Sequence, residues 1–328
     1  GIPCLTSLDT ANALADMMAS RFNLGNMELV DINDMRTEPQ HISFTKMQDC
    51  GNDYIFIENF DGSITCPEAL CVILCRPHYG IGADGIVLME RSETADVKMR
   101  SFNRDGSEGK MAGNNLRCIG KYMYDKGYMT GRSMTVETAG GTKQLSLFIR
   151  DGKVSSVAVD MGKAELDPAK VPVETAKIPA PNGASQAGPV LDRPAVIGGK
   201  EYRISCVSVG NPHCVVFMDD LESLDVASVG PKFEYSELFP DRVNAEFVRK
   251  LGPDSLRVKV WERGSGATLA CGTGACAAVI AAAENGLVEK GRDIKVSLPG
   301  GDLTVNYTDE RVILTGSAQI VYEGSFEY

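Results

Sequence analysis

A chain of 328 residues, 43% of them hydrophobic, can bury a full core and suits two domains better than one. Its net charge of −11 and pI near 4.9 argue against nucleic acid and anionic membranes as partners, because phosphates would be repelled. The expected partner is a small molecule; a homodimer is an option that the sequence does not decide.

Residues 1–41 read as an N-terminal extension and linker, with a helix expected over Ala11–Phe22 and a polar stretch over Asp31–Gln40. The segment GIPCLTSLDTANALADMM resembles the end of the large subunit of carbamoyl phosphate synthetase. Because the chain opens on Gly1, an upstream portion is expected, with Met27 as a candidate internal start. No apolar run approaches the roughly 20 residues that span a bilayer, and the start lacks a secretory signal, so a cytoplasmic protein is expected.

From Ile42 onward, β-branched runs alternate with Gly-rich turns: Ser43–Met47, Tyr54–Glu58, Gly85–Glu90, Val97–Phe102, Ser133–Thr138, Gln144–Arg150 and Lys153–Asp160. Apolar residues at helical spacing predict helices near Pro67–Arg76 and Ala112–Lys126. Cys66, Cys71 and Cys75 fall at the first of these and read as buried core thiols, and His41, His78 and His213 are too scattered for a metal-binding spacing. No metal is expected. The Pro/Ala/Gly-rich stretch Ile178–Leu191 predicts a surface excursion, after which the same order of elements returns and ends in a helix near Gly272–Ala283.

That return is a repeat with one offset. Gly51-Asn52 recurs as Gly210-Asn211, Phe102-Asn103-Arg104 as Trp261-Glu262-Arg263, and Ala112-Gly113-Asn114-Asn115 as Cys271-Gly272-Thr273-Gly274, each 159 positions later. The expected domains are a first of residues 42–156, to which about 317–328 return, and a second of 157–316. Equivalent elements of a duplicated fold meet around a pseudo-two-fold axis, so each half offers one strand-to-helix turn to a shared cleft.

The first N–H groups of a helix lack partners and lie at the positive end of its dipole, so such turns bind anions. Gly113 and Gly272 let a carboxylate approach the backbone, and Asn114 and Thr273 can add side-chain hydrogen bonds. Cys271, first in its turn, is expected to have a lowered pKa and to serve as a base. Inversion of a stereocentre needs a proton to leave one face and another to arrive on the opposite face, which suits a pseudo-two-fold pair of groups.

CGNDYIFIE, HYGIGADGIVLME, FNRDGSEGKMAGNNLRC, GNPHCVVF, RVNAEFV and WERGSGATLACGTGACAA resemble, in order, the motifs of diaminopimelate epimerases, from about Ile42 to the C-terminus. The resemblance implies an α/β (α+β) fold of two pseudo-symmetric domains, each a curled, mostly antiparallel sheet or barrel around a central helix. It also implies reversible inversion of an amino-acid α-carbon between LL- and meso-diaminopimelate, in lysine and cell-wall synthesis, without pyridoxal phosphate, metal or other cofactor. Carried over by position, it makes Cys271 one acid/base thiol, places the α-carboxylate on Gly272, Thr273, Gly113 and Asn114, and makes Asn52, Asn103, Asn211, Asn244, Glu262 and Arg263 substrate contacts. Glu262 would suit the substrate ammonium and Arg263 a carboxylate.

The departures from the family pattern are specific. Ala112 stands where the family has its second catalytic cysteine, Asn115 replaces a glycine, and Ala267 stands where many members have glutamate. Cys118 lies six positions on, too far round the helix to substitute. A natural Ala112 would make the chain a diverged or silent relative, and an introduced one a trapped epimerase. A cofactor-independent racemase of histidine or another basic amino acid, and a non-catalytic amino-acid binding protein, are the alternatives.

Overall fold

The computed structural model describes residues 41–109, 113–179 and 187–327. The expected helix over Ala11–Phe22, the linker Asp31–Gln40 and Ala112 lie outside the described residues. The first half runs β1 (His41–Asp49), β2 (Asn52–Glu58), α1 (Pro67–Leu74), β3 (Gly85–Glu90), β4 (Val97–Asn103), β5 (Glu108–Gly109), α2 (Gly113–Asp125), β6 (Ser133–Glu137), β7 (Lys143–Arg150) and β8 (Lys153–Gly162). The second runs β9 (Arg193–Ile197), β10 (Lys200–Ser208), β11 (Pro212–Phe217), α3 (Val226–Glu234), β12 (Asn244–Gly252), β13 (Ser255–Glu262), β14 (Gly266–Thr268), α4 (Gly272–Glu284), β15 (Asp293–Leu298), β16 (Gly301–Tyr307), β17 (Val312–Gly316) and β18 (Gln319–Glu327).

The offset seen in three motifs extends through the whole fold. A shift of 159 positions carries β1 onto β10 and α2 onto α4 end to end, and brings α1 onto α3 to within a residue. Pairing repeats too: β2 runs parallel to β3 as β11 does to β12, and β4 parallel to β6 as β13 does to β15. The other pairs from β1 to β8 and from β9 to β17 are antiparallel, so the sheet of each half is mixed but mostly antiparallel, and it is curled. The helix α3 was not marked by apolar spacing, because Pro231 and Lys232 interrupt the pattern. The halves are joined where β8 pairs antiparallel with β17, with Val159 opposite Leu314, and β18 pairs back with β1.

Each half packs its sheet around one long helix. The helix α4 is small-residue rich, which favours helix and lets strands approach on every side; its residues Gly274 to Ala283 are all buried. Around it lie β10–β13 and β15–β17. The helix α2 packs on β7 and β8 and keeps a wetter face at Lys121 and Tyr124. Both helices stop at a glycine in the left-handed region, Gly127 at φ 82° and Gly286 at φ 70°, a device that closes a helix without a Cβ penalty.

Two expectations need correction. Ile178 and Val190, at the ends of the expected surface excursion, are buried in the core of the second half, while 180–186 lie outside the described residues. Their apolar side chains anchor the segment against β9 and β10. Cys71 and Cys75 are buried as expected, but Cys66 precedes the first turn of α1 and is exposed. Among the described residues, no helix is long and apolar enough to cross a membrane.

Candidate active site

The openings of α2 and α4 meet over one side chain. A Cβ on Gly113 would stand 3.9 Å from Leu314 Cδ2, and one on Gly272 would stand 3.0 Å from the same atom. Leu314 belongs to the strand pair that joins the halves, so the two glycines flank the pseudo-axis. Asn114 Oδ1 lies 3.7 Å from the Cβ position of Gly272, which brings the first helix's polar side chain against the second helix's opening.

Cys271 is the N-cap of α4, with φ −130° and ψ 115°, and its sulphur accepts the Gly274 N–H at 3.3 Å. Thr273 Oγ1 lies 3.3 Å from the same sulphur and accepts from Asn211 Nδ2 at 3.3 Å. Asn211 Oδ1 is 2.9 Å from His213 Nε2, and His213 Nδ1 is 2.7 Å from Glu246 Oε1. A continuous polar chain thus runs from a fully buried histidine–carboxylate pair to the cysteine.

The expected lowering of the Cys271 pKa is not what this environment gives. Burial first, then the negative charges of Glu262 and Glu246, push the thiol well above its ordinary value, against the opposing bonds from Thr273 and Gly274. A helix entry lowers a thiol's pKa, but desolvation is the larger effect at Cys271. Glu262 is itself pushed up by burial, with Thr268 Oγ1 donating to it at 2.5 Å. A cation placed beside Glu262 would relieve both groups.

The other expected contacts are placed as follows. Asn244 is buried, donating to the Pro212 carbonyl at 2.8 Å and accepting the Arg263 N–H at 2.9 Å, so the starts of β11 and β12 and the end of β13 are tied together. The Arg263 guanidinium is exposed and donates to the Asp241 carbonyl at 2.8 Å. Asn52 opens β2, next to Gly51, whose Cβ position lies 2.8 Å from Leu269 Cδ1, two residues before Cys271. Asn103 is exposed and donates to Ser107 Oγ at 3.0 Å. His213, Glu246, Asp49 and Arg117 are buried ionisable groups beyond the expected site residues; His213 and Glu246 stand beside the apolar runs of β11 and β12, which is a signal, whereas Asp49 and Arg117 lie among mixed polar and apolar neighbours that give none.

The duplicated α/β fold, with two helix openings over one side chain, is shared with solved proteins of low sequence identity. It is similar to a hydroxyproline epimerase from Agrobacterium vitis, with TM-score 0.62 over 88% of this chain and 93% of that one at 14% identity. It is also similar to a methylitaconate-Δ-isomerase, with TM-score 0.59 over 89% and 96% at 16% identity. The family model for diaminopimelate epimerase matches residues 44–166 and 205–321. The chain is 45% identical to the diaminopimelate epimerase of Desulfovibrio desulfuricans over 87% of its length and 98% of that protein, and 43% identical to that of Acetivibrio thermocellus over 87% and 98%. The chain belongs to the diaminopimelate epimerase family.

Proposed function

We propose that the chain is built to interconvert LL- and meso-diaminopimelate by moving a proton at the α-carbon, with Cys271 serving one face and residue 112 the other. The observation that carries this reading is the meeting of two equivalent helix openings over Leu314, one of them capped by a cysteine. The substrate α-carboxylate sits on the N–H groups at Gly113–Asn114 and Gly272–Thr273, where two helix dipoles converge. Its ammonium lies by Glu262, where it neutralises the carboxylate that burial disfavours and thereby eases ionisation of Cys271. Proton transfer needs neither pyridoxal phosphate nor metal in this scheme, because the thiol is the acid/base and the helix openings hold the developing charge.

With Ala112 the opposite face has no thiol, and loss of one member of a catalytic unit costs on the order of 10³ to 10⁶ in rate. The chain as written therefore turns over negligibly, and Ala112→Cys restores epimerisation of LL- and meso-diaminopimelate by at least about 10³-fold. A coupled assay following both isomers checks this, with histidine and other basic amino acids as competing substrates. Tight binding of diaminopimelate with no turnover in the restored variant would reject the enzyme reading in favour of a binding protein.

A further inference from the structure

Arg117 lies one turn into α2 and is fully buried. Its Nε donates to Asp49 Oδ2 at 2.5 Å and its Nη2 to Asn114 Oδ1 at 2.7 Å, while Nη1 has no hydrogen-bond partner. That free nitrogen stands 3.8 Å from the Cβ position of Gly113 and 4.0 Å from that of Gly272, between the two helix openings. The device occurs once: the repeat places Cys276 where Arg117 stands and Ser208 where Asp49 stands. One guanidinium therefore serves both halves.

Asp49 holds the guanidinium by its Nε edge only and is itself pushed up by burial, with its Oδ1 also unpaired, so the Nη1 edge at the two positive helix openings has no anionic partner; Glu262 and Glu246 act on the α4 opening from the side of Cys271. The thiols facing this charge, Cys50, Cys118 and Cys276, are all pushed up by burial and supply no anion. Asp302 also acts on Cys50, but it is exposed and held by Lys295 at 2.7 Å. A single carboxylate at the two openings would give Nη1 and both sets of helix N–H groups an anionic partner.

We infer that Arg117 is a positioning residue for the ligand's α-carboxylate: it fixes Asn114 at the junction and sets the unpaired edge of its guanidinium behind the paired openings, so that the site selects a carboxylate over its neutral amide. This rests on the reading that the cleft takes an amino-acid carboxylate. The junction thus confers a charge preference in addition to hydrogen bonds, and the preference is separable from folding.

The test is calorimetric titration of the chain with diaminopimelate and with its monoamide at the carboxylate beside the reacting carbon. Arg117→Met weakens diaminopimelate about ten- to hundredfold and the amide less than about threefold, collapsing the acid-to-amide ratio, while Arg117→Lys keeps most of it. Circular dichroism and a thermal melt establish that each variant folds. Should Arg117→Met leave Asp49 unpaired and unfold, the double variant Asp49→Asn with Arg117→Gln removes both charges and keeps a hydrogen-bonding pair, and the same collapse is expected. Equal weakening of both ligands would show a merely structural role and overturn the inference, as would an unchanged ratio. Failure of the unmodified chain to bind either ligand would instead overturn the functional reading on which it rests.

Discussion

The openings of α2 and α4 share one plan but are furnished differently. Around α4 lie a cysteine, Glu262 and the buried His213–Glu246 pair, linked through Asn211 and Thr273. Around α2 lie a guanidinium, its carboxylate and an asparagine that points into the sheet: Asn115 donates to Ser101 Oγ at 2.9 Å and also reaches Tyr54. At the positions of His213 and Glu246 the first half has Tyr54 and Val87. Duplication has kept the backbone of the two helix openings, whereas the ionisable groups beside the thiol sit in the second half and the buried guanidinium sits in the first.

The largest effect that follows concerns proton exchange without inversion. The unmodified chain exchanges the α-proton of the one diaminopimelate isomer that presents it to Cys271, seen by NMR as deuterium incorporation, and Cys271→Ser lowers that exchange at least about 10³-fold. Cys271 must lose its proton before it can act as a base, and its pKa lies above the ordinary 9.0. The second-order exchange rate, which reports the free enzyme, therefore rises about tenfold per pH unit from 6 to 8.5 without a plateau. Equal exchange from both isomers, or a plateau near neutrality, would mean that the two halves are not divided in this way.

A smaller effect tests the packing behind the second opening. Gly274 occupies the place of Asn115 in the repeat, and a Cβ on it would lie 2.8 Å from Glu246 Oε1. Because Glu246 is buried and bonded to His213, it has little room to yield, and Gly274→Ala is expected to cost about 1–3 kcal/mol in a denaturant titration. An unchanged midpoint would show that the histidine–carboxylate pair is loosely held.

The shared plan of the two halves was legible in the sequence and their division was not, for a physical reason. Strand alternation, the glycines at turns and the small-residue helix are local, and the single offset needed only residue identities, so the elements and the meeting of Gly113 with Gly272 could be anticipated. The Cys271 pKa could not, because it depends on burial and on Glu246, a residue 25 positions away that only folding brings under α4. Arg117 and Asp49 lie 68 positions apart and carry no spacing signal. The burial of Ile178 and Val190 was hidden by the prolines and glycines between them, which mark a loop but do not say where its ends dock.

The least of the expected effects concerns Asn115, the departure from the family's glycine that the structure does explain. It is buried in the first turn of α2 with its amide on Ser101, which is also buried, so the side chain is satisfied by the sheet and does not enter the cleft. Asn115→Gly removes that bond, leaves Ser101 with one partner fewer and adds the backbone entropy of a helical glycine, together about 1–2 kcal/mol. Binding of diaminopimelate should shift less than about threefold, since nothing that faces the ligand is lost. A larger loss of affinity than of stability would place Asn115 in the cleft and make the first opening a determinant of ligand shape as well as of charge.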